Sequence, residues 1–274
     1  MKSIALLFLA ACGGSSDVPV DTAAASCTLV ADTTPTGRTT PSGCAILTRD
    51  TSACRADREA AGLTGTWLQF SCRVTLTVSG TDVIAVADGL PDFKSNYFAT
   101  TDPCWESYTA AIQNPNTIAE KHYSLTIPMT PNTEAHTMEA TGVVGLELDG
   151  VPIFGNFAAP GDDIYVEAAT FDRCGGHPTP DSAYHHHTEP LSISYDDSNL
   201  IGVLRDGYPI YGRRDTDGSY PTLDTYGGHT SATADSDEPT YHYHVNEQTN
   251  GSGTSEWFLT TGTFRGAPGA CTGC

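Results

Sequence analysis

Basic residues are scarce in this chain: 13 Lys and Arg stand against 33 Asp and Glu in 274 residues, a net charge of -20. A surface of that sign repels nucleic acid and anionic membranes and concentrates cations. Methionine is rarer still, at three, which argues against a soft copper(I) site. The apolar run Ile4 to Leu9 falls far short of the roughly 20 residues that span a bilayer. No GxSxG, HExxH, GxGxxG or P-loop pattern occurs, which removes the common hydrolase and nucleotide-binding signatures. DTDG (Asp215 to Gly218) opens like a calcium loop, but a third ligand is missing before the Gly and Tyr226 stands where the twelfth-position Glu belongs. It reads as a surface turn.

What is present begins with an export signature. MKSIALLFLAAC carries one Lys, a short apolar run and small residues before Cys12, the layout of a signal peptide over residues 1–11. LAAC (Leu9 to Cys12) resembles a bacterial lipobox, so Cys12 is the expected lipidation site and the lipid the expected membrane partner. Losing Lys2 with the signal takes the charge to -21. No Asp follows Cys12, which favours the outer membrane or cell surface over inner-membrane retention. Residues 12–26 are small, polar and acidic, suited to a flexible tether. Eight further cysteines remain, an even number that in an exported chain reads as up to four disulfides of unspecified pairing. The CTGC end (Cys271 to Cys274) lacks a strand-helix-strand setting and reads as structural rather than redox-active.

Organisation follows from patterning. Residues 27–76 are rich in Cys, Thr and Pro, with a short helix expected over Ser52 to Ala61, and read as a stapled cap or extension. From Arg73 the residues alternate in polarity, and SGTD marks a turn between two strands. A second helix is expected from Asp102, with Pro103 in its first turn, to about Gln113. HYSLTIP and EWFLTTGTFRG read as strands. The fold class is mainly β: pseudo-duplicated β-hairpin units in one disulfide-stabilised domain, residues 77–274, with few short helices.

The duplication is explicit. VVGLELDGVPIFG (Val143 to Gly155), CGGH and YHHHTE recur as LIGVLRDGYPIYG (Leu200 to Gly212), YGGH and YHYHVNE, giving repeats at about 143–189 and 200–247. Asp149 to Asp206 and Tyr184 to Tyr241 are 57 apart, whereas Gly175 to Gly227 is 52, so only the loop before GGH changes length. Each unit has a strand, an Asp-Gly turn and a second strand opened by Pro, which suggests an edge or a bulge. Six of nine histidines fall at matching places: His177, His185 and His187 against His229, His242 and His244. Residues i and i+2 of a strand share a face, so His185 projects with His187 and His242 with His244, while His186 and Tyr243 point the other way. A third imidazole from a Gly-flexible GGH loop completes a three-nitrogen site for copper(II) or zinc. Two sites, or one shared across a pseudo-twofold axis, both satisfy the pattern. Glu189, and more loosely Glu247, are expected as further ligands or ligand supports.

These segments, with ADGLPDF (Ala87 to Phe93), NPNTIAEKHYSLTIP (Asn114 to Pro128), DRCGGHPTPDSAYHHH (Asp172 to His187) and TGTFRG (Thr261 to Gly266), resemble the bacterial YHYH domain family, whose tetrapeptide stands at Tyr241 to His244. The likeness spans about residues 77 to 268. Two departures are visible: His186 replaces the usual Tyr in the first motif, and Phe93 replaces the usual His after GLPD. The resemblance implies the domain and leaves function to the residues.

The leading expectation is therefore a lipid-anchored exported domain that binds copper or zinc through His177, His185, His187, His229, His242 and His244. An open coordination position would extend this to metal-assisted chemistry with Arg205, Asp206 or Glu189. A second is a cell-surface adhesion module with structural histidines and exposed aromatics such as Trp105 or Trp257 meeting glycan or protein. A third is a hydrolase using a His oriented by Asp149, Asp172 or Asp206.

Overall fold

The computed structural model describes residues 27–28, 33–139 and 142–274. The expected signal peptide, the lipobox with Cys12 and the tether lie outside the described residues. The chain is mainly β. β1 (Thr33–Thr39) and β2 (Ala45–Arg49) form a hairpin, followed by α1 (Ser52–Ala60), where the first expected helix stands. β3 (Thr75–Ser79), β4 (Asp82–Ala87) and β5 (Tyr123–Pro128) make an antiparallel sheet that β18 (Cys271–Thr272) closes at the β5 edge. Two short pairs complete the periphery: β6 (His136–Thr137) with β17 (Thr263–Phe264), and β15 (Asn246–Thr249) with β16 (Ser255–Phe258).

The duplicated units build the central sheet. The first supplies β7 (Val143–Glu147), β8 (Pro152–Phe154), β9 (Gly176–Pro178) and β10 (Tyr184–His186); the second supplies β11 (Leu200–Leu204), β12 (Pro209–Tyr211), β13 (Gly228–Thr233) and β14 (Ser236–His244). Their order, β13-β14-β12-β11-β7-β8-β10-β9, reads as one unit followed by its mirror sequence. A pseudo-twofold axis therefore passes between β7 and β11, which pair antiparallel from Gly202 opposite Glu147 to Leu204 opposite Gly145. Every residue of these two strands is buried, as strands covered on both faces must be. Gly145 and Gly202 hold equivalent places there. A Cβ on Gly202 would stand 2.1 Å from the Leu146 carbonyl oxygen, so the two units approach this closely only through glycine.

The core lies between the central sheet and the β3-β4-β5 sheet. Ala85, Leu125 and Ile127 from one meet Leu146, Ile153, Ile201, Val203 and Ile210 from the other, the two apolar faces covering each other. Residues 27–76 join this body closely. Phe70 and Val74 enter the same core, the Ser71 N–H donates to the Leu148 carbonyl and the Leu47 N–H to that of Ser192. Disulfides Cys27–Cys104 and Cys44–Cys174 tie the segment to the rest, Cys54–Cys72 closes it on itself, and Cys271–Cys274 closes the C-terminal turn.

Two local expectations are corrected. Residues 102–113 are not helical. The Asp102 carboxylate does accept from the Cys104 N–H, at 2.7 Å. However, Cys104 is bonded to Cys27, Trp105 bridges to Ser95 and the Ile112 N–H donates to the Ala169 carbonyl; tertiary partners outweigh weak helix propensity. Pro152 and Pro209 also do not mark edges, because β8 lies between β7 and β10 and β12 between β11 and β14. Each Pro is the first residue of its strand, where a missing N–H is tolerated, and the register irregularity falls on the partner strand, between Val143 and Gly145 and between Leu200 and Gly202.

Cys44–Cys174 spans 130 residues and anchors the chain three positions before His177. Replacing both cysteines by Ser is expected to cost about 2–5 kcal/mol, seen as a lower denaturant midpoint. The 18-residue Cys54–Cys72 closure should cost less when removed in the same way.

Candidate metal centres

Each triad is assembled by one antiparallel strand pair. His185 on β10 lies opposite His177 on β9, and His242 on β14 lies opposite His229 on β13. His187 and His244 follow two residues along the same faces. The GGH turns that deliver His177 and His229 are built alike. The Asp172 carboxylate accepts from the Cys174 and Gly176 N–H groups and from the Tyr184 hydroxyl; Asp224 accepts from Tyr226, Gly228 and the Tyr241 hydroxyl. A Cβ on Gly176 or Gly228 would stand 2.5 Å from that tyrosine's hydroxyl oxygen, so the second Gly makes room for the motif's Tyr. Gly175 and Gly227 have φ of +98° and +86°, the region glycine occupies without steric cost.

At the first centre the three rings meet through one kind of nitrogen. His185 Nε2 lies 3.1 Å from His177 Nε2 and 2.9 Å from His187 Nε2. The opposite nitrogens are bonded elsewhere. His185 Nδ1 is 3.0 Å from the Ala183 carbonyl and His187 Nδ1 is 2.5 Å from that of Gly155, so each carries the proton and donates. His177 Nδ1 lies 2.7 Å from the Thr170 hydroxyl, whose own hydrogen goes to the Glu167 carbonyl; Thr170 therefore accepts, and His177 Nδ1 donates too. In neutral imidazoles all three Nε2 atoms are then bare lone pairs facing one another. That contact is repulsive alone and favourable around a cation. Ligands 2.1 Å from a common ion stand about 3.4 Å apart in a tetrahedron, close to the spacing here.

The second centre repeats this scheme. His242 Nδ1 donates to the Thr240 carbonyl at 2.8 Å and His244 Nδ1 to that of Gly212 at 2.6 Å, the residues 57 positions after Ala183 and Gly155. His244 Nε2 is 3.2 Å from His229 Nε2. A fourth group joins: Asp215 Oδ1 lies 3.1 Å from His229 Nε2, 3.6 Å from His244 Nε2 and 3.8 Å from His242 Nε2. Among the described residues, the two groups of side chains suited to a metal are thus His177, His185 and His187, and Asp215, His229, His242 and His244.

All six predicted histidines are brought together, three by three. The DTDG pattern predicts only a surface turn at Asp215. It does begin one, the Gly218 N–H donating to its carbonyl, but its side chain belongs to the centre. Nothing local marks it, because the first unit has Ala158 at the equivalent spacing and the contact is made by tertiary packing. Glu189 joins neither cluster. The strand ends at His186, and the buried Glu189 carboxylate bonds Arg213 at 2.6 Å and Ser194 at 2.8 Å. Glu247 pairs with Trp257 between β15 and β16. Asp149 forms an ion pair with Arg49 at 3.6 Å, Asp172 accepts from Ser95 and Tyr184, Asp206 accepts from Tyr243, and Arg205 donates to the carbonyls of Gly269 and Val143. Trp105 and Trp257 are half-buried, and Arg213 covers the Trp257 ring at 4.2 Å, so neither is the exposed aromatic expected of an adhesion surface.

Burial favours the neutral form of the three first-centre rings and of His242 and His244. Desolvation first, and neighbouring imidazoles second, push His177 down to about 3. Burial likewise takes His187 and His244 to about 4, and His185 well below its ordinary value. Lowered histidine values stabilise the fold above the unfolded value of 6.5, and that contribution is lost as pH falls through the folded values. The stability difference between the metal-free protein and its His177→Gln/His187→Gln variant should therefore shift toward the variant between about pH 6.5 and 4, followed by denaturant titrations at several pH values. Parallel curves for the two proteins would contradict this.

Residues 122–219 match the family model described as YHYH protein. That stretch contains the whole first centre and Asp215, and ends ten residues before His229. The motif inside it is YHHH at Tyr184 to His187, whereas the YHYH tetrapeptide itself lies beyond it. No curated protein and no solved structure matches the chain. Across residues 122–219, then, this chain is similar to the YHYH family.

Proposed function

We propose that this protein is an exported domain, anchored to the outer membrane or cell surface by lipid on Cys12, that holds two divalent transition-metal ions, copper(II) or zinc, one at each histidine triad. The observation that carries the reading is the convergence of Nε2 lone pairs while five of the six Nδ1 atoms are bonded to oxygen. A structural histidine cluster would instead alternate donors and acceptors, and no ring pair at the first centre can do so. All-nitrogen donors suit copper(II) and zinc, and a three-histidine, one-carboxylate set suits zinc in tetrahedral coordination. The acidic surface supports the same reading, since it raises the local concentration of cations.

Elemental analysis of the full chain purified in detergent provides the test. Two equivalents of metal are expected in the native protein, one in His185→Ala/His187→Ala, one in His242→Ala/His244→Ala, and none with all four replaced. A folded native protein that neither carries metal nor takes up added copper or zinc would end this reading.

A further inference from the structure

The two centres share their histidines but differ in what stands at the fourth position. At the second, one oxygen of Asp215 lies within 3.8 Å of all three Nε2 atoms. At the first, the nearest carboxylate is Glu167, whose Oε1 is 3.7 Å from His177 Nε2 and which does not join the cluster of mutually close ligand atoms. A cavity of about 330 Å³ opens there instead, lined by Phe154, Phe157, Glu167, His177, His185 and His187. Its walls are mainly aromatic and alkyl groups, and Phe154 stacks on His185 with ring centroids 4.0 Å apart. Glu167 Oε2 is buried with no hydrogen-bond partner among the described residues.

The loop lengths account for the difference. From the end of the second strand to GGH the first unit is five residues longer than the second. The extra chain forms α2 (Ile164–Glu167) and the 3-10 turn after it, which hold Glu167 beside His177. In the shorter loop the DTDG turn carries Asp215 straight into the cluster.

We propose that the first centre is the reactive one: its metal keeps a coordination position that a small monodentate external ligand reaches through the Phe154–Phe157 cavity, whereas Asp215 closes the second centre, which is structural. This rests on the metal-binding reading above. A site with three protein ligands and one open position is the arrangement that exchanges external ligands, and one with four is closed. Glu167, beside the open position, adds a negative charge that disfavours anionic ligands and an oxygen that accepts a hydrogen bond from a protic one.

The test uses the full chain loaded with copper(II), with azide as the probe and its charge-transfer absorption as the readout. Azide should produce the band in the native protein and in His242→Ala/His244→Ala, and none in His185→Ala/His187→Ala. Asp215→Ala should add a second azide-responsive copper. Glu167→Gln, which keeps the side chain's size, should bind azide several-fold more tightly by removing the like charge. A band that survives in His185→Ala/His187→Ala would overturn the inference, as would two copper ions that both ignore azide. Failure of the native protein to take up copper at all would instead sink the metal reading and this inference with it; copper counts on the same samples separate the cases.

Discussion

Both centres depend on hydrogen bonds made on the far side of five of the six imidazoles. A histidine offers two nitrogens, and whichever is bonded to an oxygen acceptor surrenders its lone pair to a proton. Here the acceptors are mostly backbone carbonyls, those of Ala183 and Gly155 in one unit and Thr240 and Gly212 in the other. Carbonyls accept but never donate, so the tautomer is set by main-chain geometry and not by side chains that could turn. The sheet that fixes those carbonyls is itself fixed at the β7/β11 junction, where Gly145 and Gly202 let the two units close on each other. Strand pairing, tautomer and converging lone pairs are therefore one linked constraint.

Duplication supplies a scaffold, and divergence of one loop supplies the difference between the copies. Strand order, Asp-Gly turns and Tyr-Asp latches repeat with little change because the core on both sides requires them. The segment before GGH runs over the surface, where a change of length is tolerated. Five residues there decide whether a carboxylate reaches the cluster, as Asp215 does, or stops beside one of its members, as Glu167 does. The two clusters thus acquire distinct side-chain sets without any change in their histidines.

What the sequence made legible follows from periodicity. The two-residue period of a strand placed His185 with His187 and His242 with His244, and the doubled motif revealed the pseudo-symmetry and the mainly β class. What it hid depends on contacts distant in sequence. Asp215 lies in a turn with no periodic signal, and its partners are 14 to 29 residues away. Glu189 has the right spacing, yet the strand ends before it and Arg213 takes its charge. The helix expected after Asp102 had its cap and its Pro, but Cys104 was committed to Cys27. The Asp-Gly turns held because the same residues that signal them make them: Gly150 and Gly207 have positive φ, and each Asp carboxylate accepts from the N–H two residues on.

The face of the sheet opposite the triads explains a substitution that the motif comparison left open. In the second unit Tyr243 donates to Asp206 at 2.6 Å, and burial raises that carboxyl to about 6. In the first unit the residue at the Tyr243 position is His186, and it bonds Glu147 at 2.9 Å rather than Asp149, the counterpart of Asp206. Asp149 is thereby free to meet Arg49, at 3.6 Å, and Arg49 also holds Asp92 at 2.7 Å. His186, Glu147, Asp149 and Asp92 are buried and the Arg49 side chain is only 5% exposed, and Asp149 is raised to about 7, by desolvation first and by Asp92 next. Buried carboxylates of this kind are tolerated only when a cation or a proton accompanies them. Arg49 comes from β2, so the first unit's departure from YHYH coincides with the place where the N-terminal hairpin puts a charged side chain into the domain. Phe93, at the other departure, packs on His186 and Tyr184 with ring centroids 6.3 and 6.0 Å away, on this face and not on the face of the histidine triad. Both departures from the motif therefore serve one apolar and ionic joint between the Cys-rich segment and the first unit, and they leave the three imidazoles behind it unchanged.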